Sequence, residues 1–160
     1  MGIIISSFIG CGREYLKNTH GKKAKIFDAI DEIPLTDIDG ATNQDFLDEC
    51  YNKVMSVVDD YDIVFIPSIK GVREIFNEHN VDYDIFYPST ERRNEFIENQ
   101  VRKRTKPDVI RKLDKHFEEW VNEIDDDESP NCYKHKLSKQ GEFIGNEPTI
   151  MGYINSLNNA

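Results

Sequence analysis

One tryptophan, three cysteines and six prolines are all the chain has of those types in 160 residues. Cys11, Cys50 and Cys132 are too few, and odd in number, for a disulfide framework. The chain must therefore hold itself together with an apolar core, and reduced thiols fit a cytoplasmic setting. No apolar run approaches the ~20 residues of a membrane-crossing helix. The N-terminal MGIIISSFIG is apolar but short, and it lacks the basic residues of a signal peptide. MGIIIS fits the N-myristoylation pattern, although a buried first strand explains the same residues better. Cations are outnumbered, 20 Lys and Arg against 30 Asp and Glu, for a net charge of −10. So acidic a surface cannot grip nucleic acid as a whole, because that needs clustered cations. The one basic stretch, Arg102-Lys103-Arg104-Thr105-Lys106, is short and has no interleaved aromatics. No HExxH, GxSxG or EF-hand pattern occurs, and Cys132-x2-His135 is half of a metal-ligand set with no second half.

What the chain does have is alternation. Ile3–Ser6 is a continuous apolar run, as expected of a strand buried on both faces. Further strands are predicted at Ala24–Ala29, at Asp62–Pro67, at Tyr83–Tyr87 (stopped by Pro88) and, shorter, at Cys132–Leu137. Helical spacing occupies Arg13–Asn18, then Phe46–Val58 behind a capping box of Thr42 and Asp45, then Val72–His79. Ser89 is placed to cap a helix running to about Arg104. Thr105 and Pro107 start another that carries Leu113, Phe117, Trp120 and Ile124 and ends at Asp125–Glu128. The tail from Gly141 is Asn-rich and polar and has no clear pattern. Strands separated by helices imply right-handed crossovers and a mostly parallel five-stranded sheet, in a single three-layer α/β/α domain over residues 1–160. Ligands of such sheets sit beyond the carboxyl ends of the strands, which points to the loops after Ser6, Phe27, Ile66 and Tyr87.

The first of these loops reads Ser7-Phe8-Ile9-Gly10-Cys11-Gly12-Arg13-Glu14. A strand, a glycine turn and a helix N-terminus together aim backbone N–H groups and partial positive charge at an anion. Against the phosphate-loop pattern G-x-x-x-x-G-K-[ST], Gly12 keeps the last glycine, and Gly10 keeps the middle one of a GxxGxGK form. Ser7 stands for the first glycine, Arg13 for the lysine and Glu14 for the hydroxyl residue. Ser7 is strained there if its φ is positive. Arg13 keeps the charge but as a planar fork. Glu14 could ligate Mg²⁺, yet it brings negative charge beside phosphates. Cys11 is either a thiol activated by the helix N-terminus or a filler. Taken alone, the loop is equally a degenerate phosphate loop and a tight turn that packs a helix on the sheet.

The stretch from Ile63 to Ile124 contains IPSIKGVREIF, the strand YDIFYP, an Arg-rich helix and a last amphipathic helix with a Trp. It resembles a group of P-loop, nucleoside-monophosphate-kinase-like proteins common in phages and in bacteria carrying them. Cys132–Ile144, with Gly141-Glu142-Phe143, is similar to their last strand and turn. The resemblance implies a P-loop kinase-like fold whose Walker A loop has degenerated here, with ATP and Mg²⁺ as cofactors if activity persists. It assigns the nucleotide phosphates to Ser7, Gly10, Cys11, Gly12, Arg13 and Glu14, with Glu14 also the metal ligand. It assigns a phosphorylated acceptor to Asp28 (Asp31 as second choice), Lys70, Arg73, Arg92 and Arg93. Arg13, Arg73 and Arg102 would be catalytic, because phosphoryl transfer needs cations more than covalent chemistry. Each has a structural alternative: Arg73 as a solvated helix start, Arg102 and Arg104 as helix C-terminus charges, Asp28 as a strand-end turn residue. The third strand ends Ile66-Pro67-Ser68, without the Asp that usually orients a metal. Two functions follow. One is a nucleotide-binding or protein-binding module with lost or altered catalysis, in the manner of a phage-encoded regulator of a host protein. The other is an active ATP-dependent phosphotransferase.

Overall fold

The structure, a computed structural model, describes residues 2–32 and 44–158. Strands β1 (Ile3–Ser7), β2 (Ile26–Asp28), β3 (Ile63–Pro67), β4 (Tyr83–Pro88) and β5 (Cys132–Leu137) form one sheet in the order β2-β3-β1-β4-β5. Every pairing is parallel. With helices on both faces, this is the three-layer α/β/α architecture that the alternation implied. All five residues of β3 are buried, which is why IVFIP is apolar without alternation.

The helices are α1 (Arg13–His20), α2 (Ala29–Glu32), α3 (Gln44–Val57), α4 (Lys70–Glu78), α5 (Arg93–Arg102), α6 (Pro107–Asp125) and α7 (Pro148–Asn158). The chain runs from β1 through α1 to the β2 edge, then works back across the sheet through β3, β4 and β5. Right-handed crossovers in opposite directions place their helices on opposite faces. On one face Tyr51 of α3, Phe76 of α4 and Tyr83 of β4 pack in series, with ring centroids 5.3 and 6.4 Å apart. Tyr87 reaches Asp125 at the end of α6 (2.7 Å). Helices α1 and α7 cover the other face and meet around a 3₁₀ turn, Ile144–Asn146. The connections after β1 and β4 therefore leave toward opposite edges, and a crevice opens between them at the carboxyl end of the sheet.

Local chemistry moved several boundaries. β2 is shorter than Ala24–Ala29, because the Asp28 carboxylate accepts the Ile30 and Asp31 N–H groups (3.0 and 3.3 Å) and starts α2 at Ala29. Ser89 does not cap a long helix. It precedes a 3₁₀ turn, Thr90–Arg92, and its Oγ has no partner among the described residues. Thr42 of the expected capping box lies outside the described residues. The Gly2 N–H donates to the Val58 carbonyl within the packed start of the sheet (2.9 Å). The tail, which showed no clear pattern, carries α7. Ile150 and Ile154, four apart, bury one face of α7, and the Glu147 carboxylate accepts the Ile150 N–H (3.0 Å).

Helix α5 ends with two bonds, Arg104 N–H to Val101 O and Thr105 N–H to Gln100 O (both 3.1 Å). This is a Schellman closure, and Arg104 occupies its left-handed position at φ 59°. Glycine holds that conformation without the Cβ penalty. Arg104→Gly is expected to raise stability by about 1 kcal/mol, read as a higher urea midpoint with unchanged slope.

Candidate functional site

β1 delivers the chain to the crevice at Ser7. Ser7 is the last residue of the strand, paired with Pro67 and Phe86, and its φ is not positive, so the expected strain is absent. Phe8 turns into the core, edge-on to Phe117 and Phe96 with centroids 5.5 and 6.3 Å away. The loop is pinned from both sides: Phe8 N–H donates to Phe86 O (3.1 Å), and Ile144 N–H donates to Cys11 O (2.9 Å). Gly10 and Gly12 have φ of 87° and 97°. A Cβ on Gly10 would lie 3.0 Å from Gln100 Nε2, and one on Gly12 would lie 3.1 Å from Phe143 Cβ. The two glycines thus serve both the left-handed turn and the close approach of the chain's own side chains. Cys11 is not an activated thiol. It is buried with Sγ 3.5 Å from Phe86 O, and burial pushes its pKa far up despite the helix N-terminus.

Pinned in this way, the loop leaves its amides unused. Among the described residues the N–H groups of Ile9, Gly10, Gly12, Arg13 and Glu14 have no protein acceptor. First-turn amides of a helix are ordinarily unpaired, but Gly12 is buried, where an unmet donor is costly. These residues line a cavity of about 850 Å³, ample for a nucleotide-sized ligand. The stretch from Pro67, the end of β3, to Gly71 in α4 forms a second wall, which places Lys70 on the cavity lining. Gln100, Lys103 and Thr105 at the end of α5 form a third, and α6 closes the cavity with Val109, His116, Glu119 and Trp120. Gln100 is only 6% exposed. Its Oε1 accepts the Thr105 hydroxyl (2.7 Å), and its Nε2 has no acceptor among the described residues.

Arg13 lines this space, but its guanidinium is taken up by carboxylates. Its Nε donates to Asp28 Oδ2 (2.5 Å) and its Nη2 to Asp31 Oδ1 (3.1 Å). Lys17, one turn along α1, joins the same carboxylates at 2.9 and 2.8 Å and Glu14 at 3.2 Å. Burial works against these charges, but the bonds to Asp31 and Asp28 still raise the Lys17 pKa. In the same way the Lys17 bond and the Arg13 charge hold the Asp31 carboxyl below the usual range. Carboxylate oxygens of Glu14, Asp28 and Asp31 lie within 4.8 Å of one another, as a cation site would require. Mg²⁺ does not fit this set. Asp28 already accepts four donors, two backbone N–H groups and two cations, so the positive charge that the carboxylates call for is supplied by Arg13 and Lys17.

The structure holds Arg73, Arg92 and Arg93 in contacts within the fold. Arg73, side chain 4% exposed, donates to Ser68 O (3.0 Å) and Asp127 (2.6 Å) and so ties α4 to the end of α6; it does not line the cavity. Arg92 forks onto Glu95 (2.8 Å twice) and donates to the Leu137 and Glu142 carbonyls (2.9 and 2.7 Å). Arg93 pairs with Asp114, fastening α5 to α6. Arg102 is exposed at the end of α5 and outside the lining; the next residue, Lys103, is the one that lines the cavity. Cys132 and His135 cannot share a metal, because three residues along a strand they point to opposite faces. His135 instead meets Asp84 (2.8 Å).

Sequence reasoning missed Gln100, Lys103 and the α6 wall. A signal for the wall was present. His116, Glu119, Trp120 and Glu123 recur at helical spacing one residue out of step with the core stripe Leu113, Phe117 and Val121.

The fold and site together define an all-parallel, doubly flanked α/β domain with a glycine loop at its switch point whose amides have no acceptor among the described residues. No protein-family model, curated protein or solved structure matches the chain. Among the described residues, no helix is long and apolar enough to cross a membrane.

Proposed function

We propose that this chain is a P-loop kinase-like module that binds a nucleotide or another small phosphorylated ligand, with phosphoryl transfer lost or altered. The supporting observation is the set of unpaired loop amides at the N-terminus of α1, on a cavity also lined by Gln100, by Lys103 and by Lys70, whose ammonium lies 3.9 Å from Glu74. Phosphate oxygens are acceptors only, and this side of the cavity offers them donors. Loss of transfer follows from Arg13. The charge that should move with the phosphoryl group is held by Asp28 and Asp31, no hydroxyl follows it, and the neighbouring carboxylates do not fit Mg²⁺. ATP, where it binds, would lay its phosphates on Gly10–Glu14.

Calorimetric titration with ATP, ADP and inorganic tripolyphosphate, with and without Mg²⁺, tests both halves. Binding that needs no Mg²⁺, without ADP release from ATP, is the expected result. No binding of any of the three would sink the phosphate reading and leave the protein-contact form of a non-catalytic module; sustained ADP release would sink the loss of catalysis. Arg13→Lys with Glu14→Thr removes one carboxylate and restores a hydroxyl, so ATP affinity is expected to rise about tenfold, the scale of one charge-assisted hydrogen bond.

A further inference from the structure

The cavity has a wall that phosphate does not use. Helix α6 presents His116, Glu119, Trp120 and Glu123 to it, and Glu74 of α4 lies on the same lining. Trp120 is only partly buried, and His116 stacks on its ring at 5.2 Å and 19°. The indole is thereby held in place while part of it remains open to the cavity. The polar groups beside it are carboxylates. Glu119 engages His116 through Oε2 (3.0 Å), and Glu123 engages Arg73 through Oε1 (3.5 Å). The second oxygen of each has no partner among the described residues. Ionised carboxylates accept and never donate. This wall therefore suits a flat ring that stacks on an indole and turns an edge of N–H donors toward Glu119 and Glu123, while the opposite side of the cavity offers donors to phosphate.

We infer that this wall reads the base of a bound nucleotide and that the base it prefers is guanine; the inference rests on the phosphate-binding reading for the ligand's other end. Among the common bases only guanine carries two adjacent donors, N1–H and the 2-amino group, on one edge, and these can be shared between the free oxygens of Glu119 and Glu123. Adenine and cytosine set a single amino group beside a ring nitrogen that is itself an acceptor and is repelled by a carboxylate. Uracil and thymine flank their one N–H with two carbonyls. Stacking on Trp120 alone would be nearly indifferent to the base, so the discrimination comes from Glu119 and Glu123.

Trp120 is the chain's only tryptophan, so its emission reports on this wall without interference. The full chain is titrated with GMP, AMP, CMP, UMP, guanosine and inorganic tripolyphosphate, following tryptophan quenching and calorimetric affinity. GMP is expected to quench Trp120 and to bind about tenfold or more tighter than the other three nucleotides, the scale of one bidentate base contact. Guanosine is expected to quench more weakly, and tripolyphosphate to compete without quenching. In Glu119→Gln/Glu123→Gln the guanine preference is expected to vanish while tripolyphosphate affinity holds. If the double variant does not fold, Glu119→Gln alone, at an exposed position, is expected to weaken the preference. Equal affinity for all four bases, or a guanine preference that survives the carboxylate substitutions, overturns the inference. Tripolyphosphate binding with no quenching by any base also overturns it and leaves the phosphate reading standing. Quenching by guanosine with no tripolyphosphate binding does the reverse.

Discussion

Arg92→Met is expected to destabilise the domain by about 3–5 kcal/mol, a large fraction of a typical domain's stability. Arg92 is 4% exposed. Its guanidinium clasps both oxygens of Glu95, takes the carbonyls of Leu137 and Glu142, and lies 4.9 Å from the ring centroids of Phe96 and Phe143. One side chain thus joins the start of α5, the end of β5 and the turn that carries Phe143 against the glycine loop. Methionine fills the volume but leaves a half-buried carboxylate and two carbonyls without donors. Arg92→Lys keeps the charge without the fork and should recover less than half of the loss. Urea unfolding followed by circular dichroism reads both variants.

The pH dependence separates this ion pair from mere packing. The Arg92 fork, with help from the Gly141 N–H and against burial, holds the Glu95 carboxyl below the usual range. A depressed carboxyl contributes stability above its unfolded value and loses it as the pH falls through the folded value. The gap between the native chain and Arg92→Met should therefore be widest at neutral pH and shrink between about pH 5 and pH 3. A gap that stays constant over that range would show that Arg92 acts through packing and its carbonyl bonds and not through the Glu95 pair.

Asp28→Asn is expected to raise affinity for tripolyphosphate about tenfold and to cost about 2 kcal/mol of stability. Asparagine can keep the Oδ1 role of accepting the Ile30 and Asp31 N–H groups. Its amide nitrogen then faces Arg13 and Lys17, donor against donor, and the side chain no longer holds Arg13 at 2.5 Å. Arg13 is freed toward the loop amides at the position where a phosphate loop carries its cation. The native network is not a gate near neutral pH. The raised Lys17 contributes below its unfolded value and is lost only as the pH rises through a still more alkaline folded value. The depressed Asp31 contributes above its unfolded value and is lost only in acid. Opening the network therefore takes a substitution or a competing anion. Calorimetry at neutral pH with the native chain and the variant measures the effect. Unchanged affinity would mean that Arg13 is not what limits phosphate binding.

The sheet was legible because its signal is one-dimensional. A strand buried on both faces must be apolar along its length, so Ile3–Ser6, Asp62–Pro67 and Tyr83–Tyr87 announce themselves, and alternation with helices implies parallel pairing. The glycine loop was legible for a related reason. Gly10 and Gly12 sit where the backbone turns left-handed, a constraint that acts on those residues alone. The tail was not legible because its apolar residues, Ile144, Ile150 and Ile154, are few, and they find a buried face only when α1 and the sheet are already in place.

By itself, the sequence determined an α/β fold with a mostly parallel sheet and a loop of phosphate-loop length lacking its lysine and hydroxyl. Periodicity and glycine placement are local properties of the chain. Only the tertiary structure decided what the charged residues do. Arg13, Arg73, Arg92 and Arg93 look alike along the sequence. Yet a guanidinium settles on whichever carboxylate or carbonyl the fold brings within hydrogen-bond reach, and those partners are 15, 54, 45 and 21 residues away. Electrostatic pairing acts through space. The four arginines became struts, and the cavity was left to unpaired amides, Gln100, Lys70, Lys103 and the Trp120 wall.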